Sequence, residues 1–254
     1  MLRTVNKVLA TVFLILLPMA ASHADEAQIR RVLDTKLGGA RIEGIQPAPF
    51  GGLFEVRFRT QEGTRLLYTD AEAKYIFVGK LYETRTDRDL TEERLRKLNA
   101  IRFDSLPLDQ AVRIQRGSGK RVMAMFSDPY CPACKQFEQV LQKVNDVTIY
   151  VFMYLVIRPE LTEQSKSVWC SPDRSKAWLD LALNGRRPTA GPSCETPVEK
   201  NLALGHALGV NSTPTMFFAN GERVAGGLSA PDLSELLDKA SAAVPAAARG
   251  ASSR

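Results

Sequence analysis

Two cysteines separated by two residues, Cys131 and Cys134, constrain this chain more than any other feature. The apolar run Val122–Phe126 before them predicts a short buried strand. Residues 135–143 after them predict an amphipathic helix with three apolar residues on one side, Phe137, Val140 and Leu141. The pair is therefore expected where a strand leads into a helix, and there the free backbone N–H groups and the helix dipole favour a negative thiolate. We predict that the first cysteine has a lowered pKa and is a nucleophile at neutral pH.

Zinc sites use the same cysteine spacing, but a tetrahedral site needs two further ligands, in general another close pair of cysteines or histidines. The two remaining cysteines, Cys170 and Cys194, are not closely spaced, and His206 is the one histidine outside the N-terminal segment. We therefore predict neither a metal site nor a cofactor, and we assign His206 no role. The shortage of histidines also argues against a metal-dependent hydrolase and against a Ser-His-Asp enzyme.

The N-terminus has the pattern of a secretory signal peptide. Basic residues precede the apolar run Val8–Leu17, and Ser22 and Ala24 are small residues at the two positions that a signal peptidase recognises. We predict that residues 1–24 are a signal peptide, cleaved after Ala24. The apolar run is short for a membrane span, and an uncleaved N-terminal anchor is the alternative.

Export gives the other two cysteines a predicted role, because disulfides persist outside the cytosol. We predict that Cys170 and Cys194 form a structural disulfide that closes a loop of about two dozen residues and contributes about 3 kcal/mol of stability. Two unconnected thiols, the alternative, fit an oxidising compartment poorly. A secreted protein that uses both cysteine pairs only for stability is a further alternative. The strain of the small ring closed by Cys131 and Cys134 argues against it.

The net charge of the chain is +6. Residues 1–24 hold two positive charges and no negative ones, so their removal lowers the net charge from +6 to +4. The basic residues are scattered, apart from small clusters such as Arg186-Arg187, and no basic stripe is interleaved with aromatic residues. We therefore predict a solvated, mildly basic surface and no nucleic-acid partner.

Residues 25–83 predict a small α+β domain. Its first part predicts a helix, with four apolar residues at helical spacing, Ile29, Val32, Leu33 and Leu37. The segment Leu53–Arg59 then alternates apolar and charged residues, and Arg65–Thr69 and Lys74–Gly79 predict two more strands. Because so short a segment buries only a marginal core, association with a second copy is favoured.

Residues 84–106 predict a linker helix. Thr91 is its expected N-cap, and its apolar stripe is too thin for a core helix, since it contains only Leu95, Leu98 and Ile101. Residues 107–240 predict a second domain with a strand–helix–strand order around the thiols.

The later part of that second domain predicts a β-hairpin at Asn220-Gly221 and a helix that begins near Ser229. Residues 241–254 have few apolar anchors, which predicts a disordered tail.

The second domain resembles a thioredoxin fold. In that fold the C-x-x-C pair lies between the first central strand and its helix, and a strand that begins after Thr213-Pro214 resembles the cis-proline loop facing the pair. The resemblance implies that Thr213 and Pro214 bind a substrate peptide. The alternative is that Pro214 only marks the entry of a strand.

Several segments narrow the resemblance to the DsbC/DsbG family of periplasmic disulfide isomerases, namely Phe126–Cys134, Val168–Cys170, Pro192–Cys194 and Leu208–Thr215. Two more, Ile45–Pro49 and Leu67–Asp70, resemble the N-terminal domain of that family. The resemblance implies an α+β cystatin-like dimerisation domain, a linker helix and an α/β thioredoxin-fold catalytic domain with a helical insertion. It also implies a periplasmic homodimer and a DsbD-type membrane reductase as the partner that keeps the thiols reduced.

We therefore expect a thiol-disulfide oxidoreductase that isomerises or reduces incorrect disulfides in exported proteins. Cys131 is its expected attacking thiolate and Cys134 its shielded second thiol. The residues between them, Pro132-Ala133, differ from the Gly-Tyr of DsbC and the Pro-Tyr of DsbG, which leaves the balance of isomerase, reductase and oxidase open. A DsbG-like reductase of sulfenic acids and a holdase chaperone are the alternative functions.

Overall fold

The structure, a computed structural model, describes residues 18–61, 63–189, 191 and 194–243. The chain divides into two compact units. One comprises the described residues up to Thr60 together with Arg65–Gly79, and the other comprises Gln61–Thr64 and the chain from Lys80 onward. Every helix in these ranges is too short or too polar to span a lipid bilayer.

The first unit packs one helix against one antiparallel sheet. Its elements are α1 (Pro18–Lys36), β1 (Arg41–Pro47), β2 (Phe54–Thr60), β3 (Gly63–Thr69) and β4 (Ile76–Phe77). The strands lie in the order β1-β2-β3-β4. The predicted apolar spacing of α1 places Ile29 and Leu33 in the core, where they meet Phe54, Val56 and Leu67 of the sheet. The predicted α+β architecture is confirmed.

Two parts of this unit differ from the prediction. The strand expected at residues 74–79 covers only Ile76–Phe77, and its side chains are exposed. Helix α1 begins at Pro18, so it runs across the predicted cleavage point after Ala24. Residues 1–17 of the predicted signal peptide lie outside the described residues.

The predicted linker helix belongs to the second unit. It follows a two-stranded ribbon, and these elements are β5 (Tyr82–Glu83), β6 (Arg88–Asp89) and α2 (Leu90–Leu98). The expected N-cap was wrong, because the helix begins directly after β6 and its cap is Asp89, whose carboxylate accepts from the Glu92 N–H. Thr91 is buried inside the first turn, where its hydroxyl accepts from the Leu81 N–H over 3.0 Å.

The rest of the second unit, within the described ranges, is built from a five-stranded sheet and five α-helices. In chain order the elements are β7 (Val112–Arg116), β8 (Arg121–Ser127), α3 (Pro132–Leu141), β9 (Val147–Met153), α4 (Thr162–Trp169), α5 (Arg174–Asn184), α6 (Val198–Ala207), β10 (Thr215–Phe218), β11 (Arg223–Ala225) and α7 (Ala230–Ala243). The strand order is β11-β10-β8-β9-β7. Strands β8 and β9 are parallel, and the other neighbours are antiparallel.

The central strand β8 is buried on both faces. Met123 and Met125 belong to the core that contains residues of α3, α5 and α7, whereas Ala124 and Phe126 belong to a second core on the opposite face. Helices α4, α5 and α6 lie in the chain between β9 and β10. The predicted thioredoxin fold with a helical insertion is therefore confirmed.

The predicted hairpin joins β10 to β11, with Thr215 opposite Ala225. Gly221 in its turn has a φ of +84°, and a Cβ there would lie 1.9 Å from the carbonyl oxygen of Ile101. Glycine is therefore required both by the backbone conformation and by the close approach of the chain after α2. The final helix extends to Ala243, so residues 241–243 of the predicted tail are helical. Residues 244–254 lie outside the described ranges.

Candidate active site

Cys131 is the N-cap residue of α3. Its backbone is extended (φ −74°, ψ 123°), and Pro132 follows in the first turn of the helix. A proline there costs no hydrogen bond, because the first N–H groups of a helix have no partner within the helix. The first helical bond runs from the Lys135 N–H to the Cys131 carbonyl over 3.0 Å. Cys131 and Cys134 are both free thiols, 5% and 2% exposed.

Strand pairing brings the predicted peptide-binding residues to the thiols. Strand β10 lies beside β8 with Thr215 opposite Phe126, so the segment before β10 meets the loop after β8. The Thr213–Pro214 bond in that segment is cis. The Sγ of Cys131 lies 3.5 Å from the Thr213 carbonyl oxygen, to which the thiol donates. The structure thus brings together the four residues that the sequence analysis singled out for the thiol chemistry.

The pKa of Cys131 lies below its ordinary value of 9.0. Burial of the sulfur raises the pKa, but hydrogen bonds to the thiolate outweigh this effect. The donors are the side chains of Thr213 and Cys134 and the backbone N–H groups of Cys134 and Ala133. These two backbone N–H groups belong to the first turn of α3 and have no partner within the helix, which agrees with the sequence-based prediction.

The pKa of Cys134 shifts the other way, to about 12. Deeper burial is the largest cause, and the charge of Cys131 raises the pKa further. Hydrogen bonds from the Ser127 and Thr213 side chains and from the Asp128 N–H oppose the shift without cancelling it. Cys131 is therefore the first of the two thiols to ionise as the pH rises, while Cys134 stays protonated at neutral pH.

Asp128 holds the loop that presents Cys131, a role the sequence analysis missed. This carboxylate is buried, and its Oδ1 accepts from the Tyr130 N–H over 2.8 Å. Its Oδ2 accepts from the N–H groups of Val156 and Ile157, each over 2.9 Å. An aspartate directly after a buried strand and before a proline is a turn signal that could have suggested the first contact.

Glu138 is a second buried carboxylate that the sequence analysis missed. It lies on α3 one turn after Cys134, and its Oε1 accepts from the Trp178 indole N–H over 2.7 Å. Its Oε2 has no hydrogen-bond partner among the described residues. Burial raises the pKa of Glu138, whereas the bond from Trp178 and the charge of Arg116 lower it in part. The sequence feature that could have indicated this buried carboxylate is the position of Glu138 on the apolar side of an amphipathic helix.

The remaining predicted residues lie outside this cluster. Cys170 and Cys194 form a disulfide with a Cα–Cα distance of 5.6 Å, within the usual range. His206 packs its ring edge-on against Tyr154, with 5.9 Å between ring centroids. Within the described ranges, no three side chains of His, Cys, Asp or Glu converge as a metal site requires.

A family model for the thioredoxin-like domain matches residues 108–241. A model for the N-terminal domain of disulfide bond isomerase proteins matches residues 20–92.

The similar proteins are also disulfide interchange proteins. The chain is 42% identical over 195 residues to a probable thiol:disulfide interchange protein DsbC of Bordetella parapertussis, covering 77% of this chain and 68% of that protein. It is 28% identical over 226 residues to the thiol:disulfide interchange protein DsbC of Escherichia coli, covering 86% of this chain and 89% of that protein. The crystal structure of a disulfide interchange protein from Neisseria gonorrhoeae superposes with a TM-score of 0.51 at 40% identity, covering 54% of this chain and 99% of that one. Because both domains match and the identity is high, this chain belongs to the DsbC family of thiol:disulfide interchange proteins and is a thiol-disulfide oxidoreductase.

Proposed function

We propose that this protein isomerises or reduces incorrect disulfides in exported proteins through Cys131 and Cys134. The thiolate of Cys131 attacks one sulfur of a client disulfide. A bond forms between Cys131 Sγ and that sulfur, the client S–S bond breaks, and the second client sulfur leaves as a thiolate that takes a proton from water. The product is a mixed disulfide between enzyme and client.

Two routes release the client from this mixed disulfide. In isomerisation, another client thiolate attacks the bound client sulfur, forms a different client disulfide and returns Cys131 as a thiolate, so no electrons are gained overall. In reduction, Cys134 loses its proton to water and attacks Cys131 Sγ, which expels the client sulfur as a thiolate. The client is then reduced, and the enzyme pair is oxidised to a disulfide.

The opposite pKa shifts of the two thiols are the observation that carries this proposal. The pKa of Cys131 is lowered and that of Cys134 is raised to about 12, so Cys131 forms its thiolate more readily than Cys134 does. The protonated Cys134 delays the reduction route and gives the client time to rearrange. Thr213 and Pro214 border the reacting sulfur, and in this proposal their backbone groups bind an extended client segment.

The clients are misoxidised exported proteins, and the compartment is the periplasm, reached through the signal peptide of residues 1–24. An enzyme pair oxidised in the reduction route needs a dithiol reductant, and a DsbD-type membrane reductase fills that role in this proposal. The similarity to DsbC proteins over both domains supports these assignments.

A homodimer formed by the first unit completes the proposal. Strand β4 is an edge of its sheet, and four consecutive residues there are exposed and apolar, Tyr75, Ile76, Phe77 and Val78. An exposed apolar edge strand is a template for pairing with another chain. Val78→Asp is expected to convert the dimer to a monomer in sedimentation velocity, and Lys74→Asp, on the same segment, is the control for added negative charge. A wild-type monomer at micromolar concentration contradicts the proposed dimer.

The central test is recovery of activity from a scrambled, fully oxidised multi-disulfide protein. The pre-reduced chain is compared with Cys131→Ser, which is expected to give no recovery above the background. Cys134→Ser is expected to start the reaction and to accumulate mixed disulfides, because the intramolecular release is lost. Equal recovery by Cys131→Ser contradicts the assignment of the attacking thiolate.

The same samples separate the alternative functions. Failure to recover the scrambled protein, combined with rapid reduction of a sulfenic acid on a single exposed cysteine, indicates the DsbG-like activity. Suppression of client aggregation by Cys131→Ser, without any recovery by the intact chain, indicates a holdase.

A further inference from the structure

Val156 and Ile157, which follow β9, expose large apolar side chains. They lie at the end of the sheet where β8 leads into the loop before Cys131. Their exposed fractions are 40% and 43%, while Tyr154 and Leu155 just before them are buried. Among the described residues of the second unit, Tyr82 is the other large apolar side chain with such exposure. The other large apolar side chains described in this unit are buried or half-buried. Two adjacent exposed ones are therefore a candidate contact surface.

The pair is held in place by the same carboxylate that holds the thiol loop. Both N–H groups bond to Oδ2 of Asp128, and Oδ1 of Asp128 bonds to the N–H of Tyr130, the residue before Cys131. Bonds from N–H groups to an ionised carboxylate are among the stronger hydrogen bonds in proteins. The backbone that carries the two apolar side chains is therefore held beside the loop that leads to the reacting sulfur.

The sheet topology sets the order of features along this end of the sheet. Parallel strands β8 and β9 both end there, and the antiparallel β10 begins there. Because β8 lies between β10 and β9, Thr213 before β10 and the Val156–Ile157 pair after β9 flank the loop that leads to Cys131. A client chain that passes Thr213 and reaches Cys131 meets the apolar pair next.

We propose that Val156 and Ile157 form a subsite that binds an apolar side chain of the client, about three residues from the cysteine that Cys131 attacks. The count starts at Thr213, whose carbonyl oxygen lies 3.5 Å from the Cys131 sulfur. From β10 to β9 there are two strand spacings of about 4.8 Å each, which an extended chain rising about 3.3 Å per residue covers in about three residues. The inference rests on the proposed function, because it takes Cys131 as the attacking group.

The charges near this end of the sheet define the client chemistry further. Lys135 lies 6.0 Å from the ring centroid of Tyr130, and Arg187 interacts with the same side chain. Arg158, directly after the apolar pair, is ion-paired with Glu160. A basic client residue is repelled by the two cations at Tyr130, so the subsite favours leucine-like side chains over lysine.

The test compares disulfide-linked peptide dimers, which are identical apart from one residue type. Each peptide has a single cysteine and carries either leucine or serine three residues before and three residues after it, so that either chain direction is covered. Release of free peptide by the pre-reduced full chain is followed by chromatography. Oxidised glutathione is the third probe, because it is too small to reach the subsite. The variants are Val156→Ser with Ile157→Ser, and Tyr82→Ser as the matched control.

The leucine dimer is expected to react about tenfold faster than the serine dimer, which corresponds to about 55 Å² of apolar surface removed from water. The double variant is expected to reduce this ratio to below about threefold. It leaves the rate with oxidised glutathione unchanged, and Tyr82→Ser keeps the full ratio.

A leucine-to-serine ratio near one in the wild type, or a ratio that survives the double substitution, overturns the subsite. A fall in the glutathione rate of the double variant also overturns it, because the pair then acts through the thiol loop. If the wild type reacts with none of the three probes, the proposed function itself fails, and that result is distinct from loss of the ratio alone.

Discussion

The carbonyl oxygen of Thr213 accepts a hydrogen bond from the Cys131 thiol over 3.5 Å, although 82 residues separate the two in the sequence. The hydroxyl of the same threonine is buried and has no hydrogen-bond partner among the described residues while both cysteines are thiols. When Cys131 ionises, that hydroxyl becomes a donor to the thiolate. Thr213 therefore accepts a hydrogen bond from the protonated sulfur through its backbone carbonyl and donates one to the ionised sulfur through its hydroxyl.

Thr213→Val removes the hydroxyl and keeps the shape of the side chain. Because a donor to the thiolate is lost, the pKa of Cys131 is expected to rise towards its ordinary value, and alkylation by iodoacetamide at neutral pH to slow by at least about threefold. Thr213→Ser restores the hydroxyl and is expected to restore the rate. A pH–rate profile that is the same in all three proteins shows that the hydroxyl does not act on the thiolate.

The two thiols are expected to titrate far apart. In Cys134→Ser the remaining Cys131 thiol is expected to ionise with a midpoint below 9.0. In Cys131→Ser the remaining Cys134 thiol is expected to stay protonated well above the ordinary range, towards a pKa of about 12. Thiolate ultraviolet absorbance across the alkaline range measures both midpoints. Similar midpoints in the two variants contradict the assignment of one attacking and one shielded thiol.

Local patterns were sufficient to predict the parts of the site that lie close in sequence. The strand before Cys131, the helix after it and the hairpin at Asn220-Gly221 each depend on short-range periodicity or turn chemistry, and the structure contains all of them. The N-cap of α2 was predicted two residues too late, at Thr91 instead of Asp89, because nothing in the sequence marked β6 as ending at Asp89, directly before the helix.

The missed residues depend on partners far along the chain. Glu138 accepts from Trp178, 40 residues later, and Asp128 accepts from Val156, 28 residues later. A charged residue at the end of a strand or within a helix is most often solvated, so sequence alone favoured that interpretation. Only the tertiary packing of α5 on α3, and of the β9 end beside the thiol loop, makes these carboxylates buried and bonded.

The disulfide between Cys170 and Cys194 gives a prediction for stability. Replacing both residues with serine removes a link across a sequence separation of 24 and is expected to lower the free energy of unfolding by about 3 kcal/mol. Urea unfolding measures the difference, and the substitutions are made in a Cys131→Ser, Cys134→Ser background so that no other thiol exchanges. Equal stability of the two proteins contradicts a structural role for this disulfide.

Glu138 is expected to make the stability of the second unit depend on pH. Its carboxylate is buried and its pKa is raised, mainly by burial, above the ordinary value of 4.5. The folded chain therefore holds the proton more tightly than the unfolded chain does. The free energy of unfolding then falls as the pH rises from the unfolded pKa to the higher folded pKa, and above that value the full cost of the buried charge is present.

Glu138→Gln keeps an oxygen that can accept from the Trp178 indole N–H and removes the ionisable group. The variant is expected to match or fall below the wild type at about pH 4, where the wild-type carboxyl is protonated, and to gain stability relative to it towards about pH 8. Urea unfolding at several pH values measures both curves. Glu138→Leu is the matched control, since it also removes the charge but leaves the Trp178 donor unpaired, which costs about 1–3 kcal/mol at every pH. If the wild-type and Glu138→Gln curves run parallel across this range, the carboxyl does not change its protonation on folding, and the raised pKa is wrong.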